Sequence, residues 1–504
     1  MSSMIDMIQA HLRTLLSDIG QGGVLSPSVY DTAQALRHLP PPSADAALAW
    51  LALQQTADGA FAAATTSPLA RHVPTLSAVL ALHDAGVQKS AVNAGIDFLR
   101  RHAADWEGPL PDDIPVAAEL ILPKLLADAS ARGLELPVGS YAELVRLGER
   151  RRAMIAKVQP KAGTAPVHAW EAWGADPTHA VVDGSGGVGN SPAATAQWLN
   201  RSLPSAPGVQ SARAFLTNAE RATRLGIPGV LPTVWPIDCF EQVWVLYALF
   251  AVDLLEHPSM QDRVLPELTA LRRRVGPLGL GMSEHFVADG DMTSTALAVL
   301  SAGGQAIDID LLDRYRRGDH FITYQHEMQP SVTTNAHAVL ALALAGRDAT
   351  KPAQLLIAAQ SSDGRWLQDK WHSSWLYPTS QAVTAAAHAG IAEPVLRALD
   401  AVLKHQRVDG GWGSAGQSTA VETAYAVQII HAARRLGVAR PTTESALAPA
   451  LHWLLGSGAA SATPQSLLWI GKEQYCPYRV DQAFVLAALL RLCLDEAQAT
   501  RQRS

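Results

Sequence analysis

Gln360-Ser-Ser-Asp-Gly-Arg-Trp366 and Gln406-Arg-Val-Asp-Gly-Gly-Trp412 share one pattern: a glutamine at a predicted helix end, an Asp-Gly turn and an aromatic residue. A third copy, Gln55-Thr-Ala-Asp-Gly-Ala-Phe61, lies near the amino terminus. The glutamine can bond the carbonyl groups that a helix end leaves free, and the aromatic ring can pack against the next helical hairpin. The last two copies are separated by about one hairpin with its loops. The pattern therefore predicts helical hairpins in an array or a closed ring.

The composition also favours helices. Alanine and leucine dominate the 504 residues, and few runs alternate between apolar and polar with a period of two. At roughly 150 residues per domain, this length allows about two to four domains. We therefore predict an all-α fold with more than one domain.

Charge and cysteine content exclude several classes of function. The net charge is −6 without a block of like charge, so nucleic acid is not an expected partner. The three cysteines are far apart and lack metal-site spacing, which predicts a reducing, cytoplasmic setting. Residues 1–20 read as an amphipathic helix rather than a signal peptide. The longest apolar stretches, such as Val243 to Leu255, are too short for a membrane span.

The stretch Val287-Ala-Asp-Gly-Asp-Met-Thr-Ser-Thr-Ala-Leu-Ala-Val-Leu300 carries the chemistry. It places Asp289 and Asp291 on either side of a glycine, ahead of a run with helical apolar spacing, with Thr293 or Ser294 as a predicted cap. Two acids crowded against an apolar wall cannot both ionise cheaply, so one carboxyl is expected to stay protonated near neutral pH. The alternative is an ordinary Asp-rich helix start.

Together, these features resemble the class II terpene cyclases, in the branch of bacterial diterpene cyclases that includes copalyl diphosphate synthases. The resemblance implies two α-helical barrels, termed β and γ, with the active site between them. Residues 1–22 and 223–504 would form the β domain, and residues 23–222 the inserted γ domain. Five further segments carry the resemblance in family order: Ser28-Val-Tyr-Asp-Thr-Ala33, Ser191-Pro-Ala-Ala-Thr-Ala196, Val234-Trp-Pro-Ile-Asp-Cys-Phe-Glu241, Asp369-Lys-Trp-His-Ser-Ser-Trp375 and Leu468-Trp-Ile-Gly-Lys-Glu-Gln-Tyr-Cys476.

The family's acid motif is Asp-x-Asp-Asp, and its middle Asp protonates the terminal alkene of geranylgeranyl diphosphate. The resemblance assigns that role to Asp291, with Asp289 as its neighbour. Met292 replaces the last Asp and removes a hydrogen-bonding and charge partner. Asn335, in Thr334-Asn-Ala-His337, occupies the place of an Asn that supports the acid in relatives.

Proton removal ends the reaction. In plant relatives, a His and an Asn hold the water that takes the proton. His168 matches that His, whereas the Asn position is Thr233 in this chain. A His beside tryptophans is otherwise a packed core residue.

Carbocation intermediates require an apolar, aromatic cavity whose ring faces stabilise positive charge. The predicted substrate-binding aromatics, each of which has packing in the core as its alternative, are Trp170, Trp235, Trp375, Tyr377 and Tyr475. The family resemblance assigns Lys370 to the diphosphate. It also implies Mg²⁺, for which Asp113 and Glu119 are the expected ligands.

The resemblance implies a class II diterpene cyclase that converts geranylgeranyl diphosphate into a bicyclic copalyl-type diphosphate, either ent-copalyl or a stereoisomeric or rearranged form. A downstream class I terpene synthase would consume this product. One alternative is drimenyl-type cyclisation of farnesyl diphosphate. More distant alternatives are an α/α-barrel glycoside hydrolase and a helical repeat scaffold. A homodimer is one of the oligomeric states left open.

Overall fold

The structure is a computed structural model, and it describes residues 2–62, 68–110, 114–325, 327, 330–367 and 369–503. Its α-helices are α1 (Ser2–Asp18), α2 (Val29–His38), α3 (Asp45–Leu53), α4 (His72–Asp84), α5 (Lys89–Arg101), α6 (Ala118–Ser130), α7 (Ala142–Val158), α8 (Trp170–Trp173), α9 (Pro192–Arg201), α10 (Val209–Ala222), α11 (Asp238–Phe250), α12 (Gln261–Arg274), α13 (Gly290–Ala302), α14 (Val332–Leu344), α15 (Thr350–Ala359), α16 (Leu376–His388), α17 (Ala392–Lys404), α18 (Ala420–Arg435), α19 (Pro441–Gly456) and α20 (Tyr478–Arg503). Two antiparallel pairs of short strands are β1 (Arg316–Arg317) with β2 (His320–Phe321), and β3 (Trp469–Ile470) with β4 (Gln474–Tyr475).

The carboxy-terminal part of the chain forms a closed helical barrel. Its inner helices contact one another in the order α11, α13, α14, α16, α18 and α20, and α20 returns to α11. Helices α12, α15, α17 and α19 lie outside this ring. Helix α1 joins the outer layer between α12 and α20, and it buries Ile8, Leu12, Leu15 and Leu16. The first helix therefore packs with the last part of the chain.

A smaller ring precedes it in the sequence. Helices α2, α4, α6, α8 and α9 contact one another in this order, and α9 returns to α2. Helices α3, α5, α7 and α10 pack on the outside. The prediction of an all-α fold built from two helical barrels is confirmed. The domain boundaries at residues 22–23 and 222–223 stay a prediction.

The three Gln-Asp-Gly-aromatic turns connect successive hairpins. The Gln360 side-chain amide donates to the carbonyl oxygens of Gly364 (2.8 Å) and Pro394 (2.9 Å), the latter in the first turn of α17. Gln406 and Gln55 repeat this geometry with α19 and α5. The glutamine therefore binds its own turn and the second helix after that turn, and not the carbonyl groups of its own helix end as expected from the sequence. We call this arrangement the glutamine clamp.

The Asp-Gly glycine and the aromatic ring complete each clamp. Gly364 has φ +92°, and a Cβ there would lie 2.3 Å from the Arg397 carbonyl oxygen, so only glycine allows this close approach. The indole N–H of buried Trp366 donates to the Leu356 carbonyl oxygen, and the Trp366 backbone N–H donates to the Thr379 hydroxyl. This confirms that the aromatic residue packs into the hairpin array.

The two barrels meet along a buried polar seam. The ammonium of Lys472 lies 2.6 Å from a carboxylate oxygen of Glu171 and donates to the Ser191 hydroxyl, and both charged side chains are almost fully buried. The Tyr30 hydroxyl donates to the same Glu171 oxygen at 2.8 Å. Because a buried charge is tolerated only with partners, these contacts hold the barrels in one relative position. None of the helices described here is both long and apolar enough to cross a membrane.

Loss of one clamp should destabilise the fold. In Gln360→Leu, two buried carbonyl oxygens lose their donor, so we expect the free energy of unfolding to fall by about 1–3 kcal/mol. Urea unfolding followed by circular dichroism measures the change. Gln498→Leu, an exposed position in α20, is the control and should change stability little. Equal effects of the two substitutions would contradict a stabilising role for the clamp.

Candidate active site

The two acids of the Asp-Gly-Asp stretch lie at the start of inner helix α13. Asp289 is the N-cap, and its carboxylate accepts the Met292 backbone N–H at 2.8 Å. The helix thus begins earlier than predicted. Thr293, one of the expected caps, instead accepts the Leu280 N–H, and the other, Ser294, donates to the Gly290 carbonyl oxygen.

Gly290 allows the chain to close over the helix start. Its N–H donates to the Thr323 carbonyl oxygen, and an added Cβ would lie 2.1 Å from the Ile322 carbonyl oxygen. A side chain at this position would push residues 321–323 away from the acids. The same segment brings the Tyr324 hydroxyl to Asp289, 3.3 Å from its second carboxylate oxygen.

Asp289 is the better buried of the two acids, with 2% of its surface exposed. Burial raises the pKa of Asp289 well above its usual value, and the neighbouring Asp291 carboxyl raises it further. The prediction that one carboxyl of the pair resists ionisation is therefore supported for Asp289, whose hydrogen bonds from Met292 and Tyr324 only partly offset the effect.

Asp291 is held by a histidine. One of its carboxylate oxygens, Oδ1, lies 2.7 Å from Nδ1 of His337 in α14. The imidazole is fully buried, whereas 14% of the Asp291 side chain stays accessible. The other oxygen, Oδ2, has no hydrogen-bond partner among the described residues. Asp291 thus combines one anchored oxygen with one that is available to a substrate.

His337 was missed as a functional residue by the sequence analysis, which selected Asn335 from the same Thr-Asn-x-His segment. The Asn335 amide donates to the carbonyl oxygens of Phe321 and Ser331, and its oxygen accepts the Phe321 N–H. Its hydrogen bonds are thus used by backbone groups, and the contact with Asp291 is made by His337. Since α14 begins at Val332, His337 lies on its second turn, where the side chain faces α13.

Met292, in place of the family's third Asp, is 3% exposed and belongs to the apolar core of the larger barrel. It contributes a backbone N–H to Asp289 but no second charge. Among the described residues, the side chains that hydrogen-bond to the two acids are therefore Tyr324, on Asp289, and His337, on Asp291.

An aromatic cluster lies beside the acid. The rings of Trp244 and Tyr247 pack edge-on to His337, with centroids 5.0 and 5.6 Å away. Tyr377, one of the predicted aromatics, is fully buried in this cluster and stacks on His372 at 4.4 Å. Trp469 contacts both Trp244 and Tyr377. The surroundings of the Asp291–His337 pair are therefore rich in aromatic rings.

The other predicted aromatics have different surroundings. Trp170 lies in a core cluster of the smaller barrel, separate from the core that contains the acid. Trp235 packs on Phe215 and lines an open cavity of about 590 Å³ at the junction of the barrels. Trp375 contacts His405 and the Arg365 guanidinium. Tyr475 is buried in β4, opposite Trp469. Of the five, the structure brings Tyr377 and Tyr475 closest to the cluster by direct ring or strand contact.

His168 faces the loop that carries the acids. Its Nδ1 lies 2.8 Å from the Gly189 carbonyl oxygen, so Nδ1 carries the proton and Nε2 keeps its lone pair. Burial, with a smaller effect of Lys472, lowers the pKa of His168 to about 3, so the ring is neutral at physiological pH. Phe286, three residues before Asp289, packs against it with centroids 5.6 Å apart. Gly189 must be glycine, because a Cβ at this position would lie 2.6 Å from the backbone nitrogen of His168.

The Thr233 side chain is 1% exposed, and its hydroxyl has no partner among the described protein groups. An unpartnered buried hydroxyl is costly, so a water or ligand group is its expected partner. No contact between Thr233 and His168 is seen among the described residues.

Lys370 lies beside a carboxylate. Its ammonium is 2.7 Å from Glu327 and 5.5 Å from the centre of the Trp371 ring, whose edge packs on Tyr324. This chain of contacts links Lys370 to the Asp289 side of the site. The other oxygen of Glu327 is buried without a partner.

Of the two residues expected to hold Mg²⁺, Glu119 is the one that the structure describes. Asp113 lies outside the described residues. Glu119, at the start of α6, lies 3.9 Å from the Arg151 guanidinium, and burial raises the pKa of its carboxyl. Within the described part of the chain, no cluster of three or more His, Cys, Asp or Glu side chains could ligate a metal. Glu119 is therefore not part of a metal-ligand cluster among these residues, and Mg²⁺ stays a prediction.

No family model matches the chain, whereas comparison with individual proteins found relatives that align over nearly its whole length. The chain is 40% identical over 519 residues to a (+)-kolavenyl diphosphate synthase of Herpetosiphon aurantiacus, covering 98% of this chain and 99% of that protein. It is 32% identical over 505 residues to a type B diterpene cyclase of Mycobacterium tuberculosis, covering 95% and 98%.

The chain belongs to the class II diterpene cyclases. Its structure is also similar to that of an ent-copalyl diphosphate synthase from Streptomyces platensis, with a TM-score of 0.78, 30% identity and coverage of 97% of this chain and 99% of that one. The similarity extends over both barrels. The Asp289–Asp291 pair is thus part of a class II diterpene cyclase fold.

The raised pKa of Asp289 predicts a pH-dependent stability. An unfolded Asp ionises near pH 3.8, whereas the folded cyclase resists this ionisation, so stability is fully present below about pH 4 and is lost as pH rises towards the folded pKa. Asp289→Asn keeps a capping oxygen without titrating. We expect the free energy of unfolding of this variant, relative to that of the wild type, to increase by up to about 1.4 kcal/mol for each pH unit by which the pH is raised in this range.

Urea unfolding of both proteins at intervals between pH 4.5 and 8 provides the test. Asp308→Asn is the matched control, since Asp308 caps the turn at Asp310 from an exposed position. A difference between Asp289→Asn and wild type that does not change with pH would mean that Asp289 ionises normally.

Proposed function

We propose that this cyclase converts geranylgeranyl diphosphate into a bicyclic diphosphate of the copalyl type, or a rearranged form of it, with the diphosphate retained. The observation that carries the proposal is Asp291: one oxygen is anchored on a buried histidine, and the other is open beside aromatic rings. The diphosphate products named for the relatives support this substrate class.

In the proposed first step, the O–H bond at Asp291 Oδ2 breaks and its proton bonds to the terminal alkene of the substrate. The developing positive charge passes to the ring carbons as two new C–C bonds form. Trp244 and Tyr377, which pack on each other beside His337, are the rings proposed to stabilise this charge, and their burial is proposed to keep water away from the cation. The carboxylate left on Asp291 is next to His337.

In the last step, the bicyclic cation loses a proton. His168 Nε2 is the proposed acceptor, directly or through a water, because its lone pair is free and the ring is neutral. Thr233 is the proposed second partner of that water, on the ground of its unpartnered hydroxyl. One proton enters and one leaves, so the reaction is an isomerisation.

The diphosphate is proposed to bind at Lys370. There it would replace the Glu327 carboxylate as the partner of the Lys370 ammonium. If Mg²⁺ binds together with the substrate, it would share with Lys370 the neutralisation of the diphosphate charge. The retained diphosphate makes a separate class I terpene synthase the expected consumer of the product.

The acid is tested first. Incubation of wild type and Asp291→Asn with geranylgeranyl diphosphate and Mg²⁺, followed by dephosphorylation and mass spectrometry with chiral standards, should give a bicyclic alcohol from wild type. The variant should lose about 10²- to 10⁴-fold in rate, the contribution typical of a general acid. Asp308→Asn serves as the control. A fully active Asp291→Asn would refute this acid assignment.

Farnesyl diphosphate is the matched second substrate. A drimenyl-type product formed faster from it than the bicyclic product from geranylgeranyl diphosphate would favour the shorter-chain alternative. A polysaccharide panel with the same enzyme tests the glycoside hydrolase alternative, for which an aromatic, closely packed acid site is unsuitable.

Metal removal should weaken substrate binding more than the chemical step. With EDTA present, we expect KM for geranylgeranyl diphosphate to rise and added Mg²⁺ to restore it, because the ion is proposed to bind through the diphosphate. The unfolding midpoint without substrate should not change. If EDTA destabilises the free protein, the ion is instead held by protein ligands.

His168→Phe should change the product more than the rate. Without the proton acceptor, the cation is expected to lose a different proton or to add water, which the same mass-spectrometric analysis detects as a new alkene isomer or a hydroxylated product. An unchanged product profile would exclude His168 from the last step.

A further inference from the structure

Gln381 of α16 contacts the histidine that holds Asp291. Its side-chain oxygen lies 3.1 Å from Nε2 of His337, on the opposite side of the imidazole from Asp291. Gln381 is 1% exposed. It does not touch Asp291 among the described contacts, so any effect on the acid passes through His337.

The orientation of the Gln381 amide follows from its other contact. The Ser380 hydroxyl donates its hydrogen to the Tyr377 carbonyl oxygen at 2.8 Å, and a carbonyl oxygen is an acceptor only. The Ser380 oxygen must therefore accept from the Gln381 NH₂ group, 2.9 Å away. This leaves the Gln381 carbonyl oxygen facing His337.

The His337 ring must then carry a proton on Nε2, because two acceptors cannot face each other. Nδ1 faces Asp291 Oδ1. A neutral ring would accept at Nδ1, and the Asp291 proton would have to point at the histidine, away from the substrate. A doubly protonated ring donates at both nitrogens, which frees the Asp291 proton to reside on Oδ2.

We propose that Gln381 is a positioning residue that holds His337 as an imidazolium, with Nε2–H on Gln381 and Nδ1–H on Asp291 Oδ1, so that the transferable proton sits on Asp291 Oδ2. This inference rests on the proposed function. When the Oδ2–H bond breaks and the proton bonds to the alkene, both imidazolium protons stay in place and Nδ1–H donates to the new carboxylate. Asp291 regains its proton from water after product release.

The surroundings of His337 leave few other titrating groups. Asp291 faces it from α13, Tyr247 faces it edge-on from α11, and Tyr377 lies one ring further on α16. Burial raises the pKa of both phenols, so neither ionises in the pH range of an assay. Asp291 is therefore the acidic group that faces His337 directly.

Two substitutions separate the proposal from a packing effect. Gln381→Leu removes the acceptor at similar volume, and Gln381→Glu keeps an acceptor and adds negative charge. For Gln381→Leu we expect kcat to fall about 10- to 100-fold, as for other partners that orient a functional histidine, with little change in KM. The alkaline limb of its pH–rate profile should move to lower pH, because the imidazolium loses its partner.

Gln381→Glu should retain much more activity, and its alkaline limb should move to higher pH, since a carboxylate favours the imidazolium. Circular dichroism and thermal unfolding establish that both variants are folded. If Gln381→Leu does not fold, Gln381→Glu still decides the proposal by the direction of its shift. The proposal would be overturned if the alkaline limbs of the two variants moved in the same direction. It would also be overturned if kcat fell while both pH–rate profiles stayed unchanged.

Asp291→Asn, measured in parallel, separates the two levels of inference. An inactive Asp291→Asn beside a Gln381→Leu variant with wild-type rate and pH profile would overturn the role of Gln381 and leave the acid assignment intact. An active Asp291→Asn would overturn the proposed function itself.

Discussion

Two carboxyl groups share the first turn of one buried helix, and the rest of the site follows from the cost of that arrangement. Neither acid can be fully solvated, so Asp289 resists ionisation and Asp291 needs a partner that tolerates burial. The barrel provides this partner as His337, from the neighbouring inner helix. Close packing of inner helices α13, α14 and α16 thus serves the chemistry directly: it fixes the relative positions of acid, histidine and glutamine.

Residues of the candidate site come from both barrels. The larger barrel contributes the proposed acid and the aromatic rings beside it, and the smaller barrel contributes His168, the proposed proton acceptor, opposite the loop that precedes Asp289. Their relative position depends on the seam, where Lys472 is paired with Glu171 and Ser191. A buried pair of this kind is weak evidence for stability, but it specifies one docking geometry, because any displacement leaves a charge without a partner.

The sequence predicted the architecture well, since clamp turns and helical periodicity are local signals. It also selected Asp289 and Asp291, because two acids flanking a glycine are visible in the chain. It could not choose between Asn335 and His337, since only the rotation of α14 against α13 decides which faces the acid. The surroundings of Trp170 and Trp375 could not be predicted from the sequence either. A large aromatic ring is expected to be buried, but its size does not indicate the core in which it is buried. Gln381 lies in no recognisable motif. Its contact with His337, and through it with Asp291, depends on the packing of α16, α14 and α13.

The glutamine clamps join residues only 34 to 40 positions apart, whereas the seam joins Lys472 to residues 281 and 301 positions away, and His11 of α1 bonds to Ala460, 449 positions on. Contacts between near neighbours close with little loss of chain entropy and form early in folding. Each hairpin can therefore assemble as it is synthesised. The apolar face of α1, by contrast, is covered only when α20 is made, after all the other helices described here. A chain emerging from the ribosome carries that uncovered face throughout, which makes α1 the segment most in need of protection from aggregation during synthesis.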